Sequence, residues 1–281
     1  MGVLSHPTVK RWSDRLALLL FSALLTVAAA FLLVPLVISA VLSFDARSFV
    51  GRFPPPALSL RWYRSLAENS AYADGFFVSL QIGLAATVLA TIIGALAALF
   101  LDRYRFPGRA GLETALLSPK FVPTVVIGFA LLTTAGALGI IDGWWRLLAG
   151  HLVITLPFTV RATLAALVGV RRSLVEAAMT LGASELRAYW DVVLPLARSG
   201  LVSGAVFAFV MSFDEVALSL FLSDPFSQTL PVVLVSEMRA NLSLTIAAVS
   251  TLLVGLTIAL VVLLARFVGF GRLFGEGIYR P

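Results

Sequence analysis

Residues 173–195 read SLVEAAMTLGASELRAYWDVVLP, the longest polar interval in the second half of the chain, with strongly apolar segments on both sides. Ser173 and Glu176 have the spacing of a capping box, in which the hydroxyl caps the first turn and the carboxylate reaches back. Glu176-Ala177-Ala178-Met-Thr-Leu predicts a short helix, and Gly182 supplies the positive φ that ends it. Ser184 predicts the cap of a second helix carrying Glu185, Arg187, Tyr189, Trp190 and Asp191. Pro195 then resets the backbone before the next apolar run.

The rest of the chain sets the environment of this interval. Of 281 residues, 59% are hydrophobic and 13% charged, with a mean hydropathy of +0.98. That is the composition of a membrane protein. With no cysteine, a disulfide framework, a thiolate metal site and a cysteine nucleophile are all excluded. The net charge of +6 does not point to nucleic acid, because most basic residues flank apolar spans and so act as topology determinants.

Six apolar runs are long enough to cross a bilayer: 16–44, 76–101, 114–138, 149–170, 197–222 and 243–267. The first is too long for a signal peptide, and no small-residue cleavage site follows it. Asp45 to Gly75 is a polar loop whose LSLRWYRSLAENSAY stretch predicts an interfacial helix. Ser118-Pro119 and Pro123 predict an irregular or kinked start to the third run. Gly83, Gly94 and the alanines of the second allow close helix packing. Residues 223–242 read as a loop. Six spans put both termini on one side. That side carries Lys10, Arg11, Arg15, Arg103, Arg105, Arg109, Arg171, Arg172, Arg187, Arg198, Arg266, Arg272 and Arg280, and the other only Arg47, Arg52, Arg61, Arg64, Arg146 and Arg239. The positive-inside rule therefore places the termini and the Glu176 loop in the cytoplasm.

Ionisable residues within spans are functional candidates, because burying them is costly. Arg161 stands roughly 14 Å from the cytoplasmic end of the fourth span, and Asp214 roughly 25 Å into the fifth, so a direct pair is not favoured. Arg161 has a structural reading, bonding carbonyls or snorkelling, and a transport reading. Asp214 and Glu215 also have two: they line a path as a cation-attracting constriction, or they cap a broken helix or sit at the outer interface. His6 and His151 are the only histidines; His151 is placed at the interface. No G-x-x-x-x-G-K-[ST] occurs, and Lys10 and Lys120 are the only lysines, so the chain does not bind ATP as a P-loop protein does. A stand-alone secondary transporter would be supported by a repeated half or matching broken helices, and neither is visible. An intramembrane hydrolase needs facing catalytic groups, whereas Asp214 and Glu215 are neighbours.

The interval 173–195 resembles the EAA loop of permease subunits of binding-protein-dependent ABC importers. The family pattern is E-A-A, three residues, G, nine residues, I, one residue, L-P. Glu176, Ala177, Ala178, Gly182, Leu194 and Pro195 match it, and Val192 stands where Ile is usual. SFDEVALSLFLSDPFSQTLPVVL, followed by TIAAVSTLL, resembles the second permease of the spermidine/putrescine importer group, which carries an acidic pair at the place of Asp214-Glu215. The resemblance implies an all-α membrane protein of six transmembrane helices, with a cytoplasmic coupling helix pair between spans four and five. It divides the chain into a cytoplasmic N-terminus (1–15), a first span (16–44), a periplasmic loop (45–75), a permease core (76–267) containing the coupling loop 171–195, and a cytoplasmic tail (268–281). It implies a non-catalytic subunit of the bacterial inner membrane that binds no cofactor, ATP and Mg being held by a partner ATP-binding subunit dimer. The other implied partners are a second, paralogous permease, a periplasmic solute-binding protein and the lipid bilayer, with no nucleic acid. The implied solute is a polyamine or related amine; opine-like or amino-acid-like compounds, aminophosphonates, thiamine and iron are alternatives.

Overall fold

The computed structural model describes residues 7–49, 51–240 and 243–268. Among these, regular structure is helical, apart from the isolated bridges Asp45–Leu58 and Asp224–Ser227. The chain forms two compact units, Met1–Glu68 with Asn241–Ile258, and Asn69–Ala240 with Ala259–Pro281. Arg272 and Arg280 of the charge count lie outside the described residues.

The first unit holds α1 (Pro7–Leu42), α2 (Arg61–Glu68) and most of α12 (Thr245–Val268). The apolar stretch of α1, Asp14–Leu42, is unburied throughout, as suits a helix whose solvent is lipid. Within the 45–75 loop, a helix does form where the sequence predicts one, as α2. Its Trp62 packs with Leu244 and Ala248 and donates its indole N–H to the Asp45 carbonyl at 2.8 Å. The Asp45 side chain is fully buried and pairs with Arg47. That side-chain hydrogen bond holds the Asp45 carboxyl below its ordinary range.

The second unit is built on three long helices, α3 (Ser70–Arg103), α6 (Gly143–Leu167) and the rod Glu185–Phe213. α3 starts six residues earlier than the apolar run predicts, because Asn69 Oδ1 accepts the Ala71 N–H at 3.0 Å and stops fraying. α6 likewise starts at Gly143, capped by Asp142, whose carboxylate accepts from the Trp144 N–H. Small residues let the three backbones touch. Thr159 of α6 lies between them: a Cβ built on Gly94 of α3 would stand 2.9 Å from Thr159 Cβ, and one on Gly204 would stand 3.0 Å from Thr159 Cα. Its hydroxyl donates to the Ala90 carbonyl of α3 at 2.7 Å. Gly200, four residues before Gly204, would meet the Ala162 carbonyl oxygen at 2.6 Å. This small-xxx-small pair is invisible to hydropathy alone.

Two expected spans and one expected loop are redrawn. The third is broken into α4 (Arg109–Leu117) with a 3₁₀ turn (Ser118–Phe121), then α5 (Thr124–Ala137), bent by 106°. Pro123 has no N–H to continue the ladder and forces Val122 into an extended conformation. The fifth does not begin at Ala197 but runs back without a break to Glu185, and it ends at Phe213 rather than Leu222. A separate α10 (Ala217–Leu222) follows. The predicted loop 223–242 contains α11 (Leu230–Ala240). Its Leu230, Val232 and Val233 are buried, and Ser79 Oγ of α3 accepts the Leu230 N–H at 2.9 Å. Among the described residues, four helices are long and apolar enough to cross a membrane, or five if the bent pair is one span; Thr245–Ala259 is apolar but shorter.

Candidate functional site

The polar interval folds as α7 (Arg172–Thr180), a turn, and α8 (Glu185–Ala188). The capping box is not formed. Arg171 occupies the N-cap and the helix starts at Arg172, so Ser173 stands inside the first turn. The end of α7 is as predicted: Gly182 has φ +93°. The N–H of Ala183 reaches the Ala178 carbonyl at 3.1 Å and that of Gly182 reaches Met179 at 2.9 Å, the paired bonds of a Schellman motif. Ser184 caps α8 by accepting the Arg187 N–H.

Pro195 does not interrupt the chain there. A π turn over Tyr189–Val193 carries α8 directly into α9 (Leu194–Phe213). The wider turn leaves room for the proline ring and its missing N–H. Glu176, Ala177 and Pro195 are exposed, whereas Ala178 and Leu194 are half-buried. Val193 packs with Ala98, Leu167 and Ala197. Around the turn, Leu181, Leu186 and Trp190 are 89%, 81% and 70% exposed. All three are large apolar side chains left open along the polar interval. The C-terminal end of α3 is fastened to both short helices. Arg103 pairs with Glu185, and Arg172 donates to the Asp102 carbonyl at 3.1 Å.

At the other end of the rod, Asp214 and Glu215 occupy a helix break. Asp214 is the C-cap of α9. Glu215 Oε1 accepts the Leu218 N–H at 2.9 Å, so this carboxylate caps α10, one of the two readings the sequence left open. Asp214 is exposed and makes no ion pair among the described residues. His151 is fully buried beneath the break and not interfacial. Its Nδ1 meets Ser212 Oγ at 2.7 Å and its Nε2 meets Ser219 Oγ at 3.0 Å. Ser219 spends its own proton on the Glu215 carbonyl, so it accepts from Nε2–H, and Nδ1 accepts from Ser212. The imidazole thereby ties both sides of the break to α6. The hydropathy pattern concealed this role, because a lone histidine near a span end reads as interfacial.

Arg161 is exposed on α6 and pairs with neither carboxylate. The antiparallel contacts of α6 and α9 put Asp214 near the level of His151, ten residues or about 15 Å along the helix from Arg161. Beyond α10, Asp224 Oδ2 accepts the Gly143 N–H at 2.6 Å and Oδ1 accepts that of Phe226 at 2.9 Å.

An all-helical membrane unit with a broken span, a polar helix pair and a rod joining that pair to an acidic break is the frame of an importer permease. The chain belongs to the family described as binding-protein-dependent transport system inner membrane component, which its residues 90–270 match. It is a permease subunit of an ABC importer. Among its relatives, it is 32% identical over 244 residues to the spermidine/putrescine transport system permease protein PotC of Escherichia coli (strain K12), covering 87% of this chain and 92% of that one. It is 30% identical over 232 residues to the putrescine transport system permease protein PotI of the same strain, covering 80% and 82%. It is also 28% identical over 200 residues to the trehalose transport system permease protein SugB of Mycobacterium tuberculosis (strain CDC 1551 / Oshkosh), covering 70% and 73%. Its fold is that of a chain in the crystal structure of a bacterial ABC transporter involved in the import of the acidic polysaccharide alginate, with a TM-score of 0.68, 17% identity, and coverage of 96% and 100%.

Proposed function

We propose that this permease carries a polyamine or related amine, and that the α7–α8 pair is its coupling element. The observation that carries the coupling reading is the unbroken helix from Glu185 to Phe213, about 43 Å of rigid rod. One of its ends follows the polar turn and the other bears Asp214. A displacement imposed on the turn reaches the acidic break without an intervening hinge. Leu181, Leu186 and Trp190 offer the apolar surface on which an ATP-binding subunit docks, and the Gly182 turn, Glu176, Ala177 and Ala178 set its shape. Leu194 and Pro195 join it to the rod. The unpaired Asp214 carboxylate attracts a cationic solute, while Glu215 holds the break open and Arg161 lines the inner part of the same path. The amine reading draws on the similarity to PotC and PotI.

In this reading six spans cross the inner membrane, α12 being the sixth, with both termini in the cytoplasm. The permease works with a second, paralogous permease, an ATP-binding subunit dimer that holds ATP and Mg, and a periplasmic solute-binding protein. ATP hydrolysis by the reconstituted complex tests it, with and without binding protein loaded with spermidine or putrescine. Loaded binding protein stimulates the wild type, and Glu176→Ala weakens the stimulation. A variant that keeps full stimulation and full ATPase association removes the coupling role from this turn.

A further inference from the structure

A concavity of mixed lining lies between α3 and the approach to α11. The N-terminal half of α3 and the segment leading into α11 border an open cavity of about 440 Å³, lined among others by Asp74, Phe77, Gln81, Phe226 and Gln228. That volume suits a small solute.

Its walls are preformed. Asp224 pins the segment to the Gly143 and Phe226 N–H groups. Ser79 fixes the start of α11, and Gly75 lets Leu230 lie against α3, a Cβ there standing 3.2 Å from Leu230 Cα. The lining is chemically specific. Asp74 makes no ion pair among the described residues. Asp74 and Gln81 are exposed, and Phe77 and Phe226 are 58% and 93% exposed. Asp74, Val78 and Gln81 recur at helical spacing, so α3 presents one face to the cavity. A carboxylate and exposed aromatic side chains in one lining are the composition that recognises an organic cation: the carboxylate supplies charge, the rings supply cation–π attraction, and the amides take up N–H groups. Phe76, between the lining residues Gly75 and Phe77 on α3, meets Phe213 edge to face with centroids 5.9 Å apart. Phe213 immediately precedes Asp214.

We propose that this cavity is an outer binding site for the protonated amine of the solute, held by Asp74 and Phe226 before it reaches Asp214. The proposal rests on the amine reading. Its test is equilibrium binding of radiolabelled spermidine and putrescine to the purified permease–ATPase complex without binding protein, alongside uptake into proteoliposomes with it. Asp74→Asn and Phe226→Ala each weaken binding about fivefold, the effect of one exposed ion pair or cation–π contact. Asp74→Glu retains affinity, which a purely structural role for the side chain would not select. Unchanged affinity in both Asp74→Asn and Phe226→Ala overturns the site, as does wild-type complex that binds neither amine yet takes one up. Wild-type complex that takes up neither amine overturns the amine reading, and the site falls with it.

Discussion

Thr159 is clasped between α3 and α6's other neighbour α9, and Gly94→Ala tests whether that contact governs the second unit. The added methyl would stand 2.9 Å from Thr159 Cβ and 3.0 Å from the Val160 nitrogen, with Thr159 Oγ1 closer still. The backbone nitrogen cannot rotate away, so the helices must part. Overpacking of this kind costs about 1–3 kcal/mol. Displacing the Thr159 hydroxyl from the Ala90 carbonyl adds about 0.6 kcal/mol, the typical worth of an interhelical hydrogen bond in a membrane protein. Against this, alanine gains about 1 kcal/mol over glycine in helix propensity. The net expectation is destabilisation by about 0.5–2.5 kcal/mol. Gly136→Ala on α5 is the control: nothing lies within 4 Å of its Cβ, so only the propensity gain remains, up to about 1 kcal/mol of stabilisation. Thr159→Ala in the Gly94→Ala background removes the nearest clash and recovers part of the loss, a coupling that a double-mutant cycle reads directly. The assay is denaturant unfolding of the purified protein in detergent, followed by tryptophan fluorescence. If Gly94→Ala is as stable as the wild type, the close α3–α6 approach does not hold the unit together.

Other outcomes follow from the two ends of the rod. Gly182 has open space around it but φ +93°, so Gly182→Asn is tolerated while Gly182→Val costs about 1–2 kcal/mol locally and reduces co-purification of the ATP-binding subunit; equal co-purification of both variants contradicts this. Arg103→Glu places like charges together where Arg103 now meets Glu185 and lowers ligand-stimulated ATP hydrolysis. The exchange Arg103→Glu with Glu185→Arg restores it, although the pair is 41% and 38% exposed and contributes only about 0.5 kcal/mol to stability. A swap that fails to restore stimulation removes the pair from coupling. At Asp224, burial opposes ionisation, but the N–H groups of Gly143, Phe226 and Ser227 and the nearby Arg146 outweigh it and hold the carboxyl below its ordinary 3.8. A depressed carboxyl contributes stability that is complete above 3.8 and lost as pH falls through the folded-state value. Asp224→Asn is therefore less stable than the wild type near neutrality, by about 1 kcal/mol after allowance for solvent screening. The difference shrinks in acid, and a gap that stays constant with pH refutes the assignment.

Apolar run length, the placement of arginines and the spacing from Glu176 to Pro195 are local properties, so the sequence by itself determined the membrane class, the expected orientation and the presence of a helix–turn–helix. Gly182 is the plainest instance: a turn needing positive φ selects glycine whatever packs around it. Tertiary structure decided what depends on neighbours distant in the chain. Whether Pro195 ends a helix or is absorbed by a π turn depends on the packing of Val193 against Ala98 and Leu167. Residues 230–240 read as a loop, yet fold as a helix because Ser79 and Gly75, over 150 positions earlier, receive them. His151 became a buried clasp only when Ser212 and Ser219, over 60 positions later, were brought to α6. Hydropathy reports how much a segment avoids water. Which polar atom satisfies which buried donor is a pairwise fact, and only the folded chain supplies the pairs.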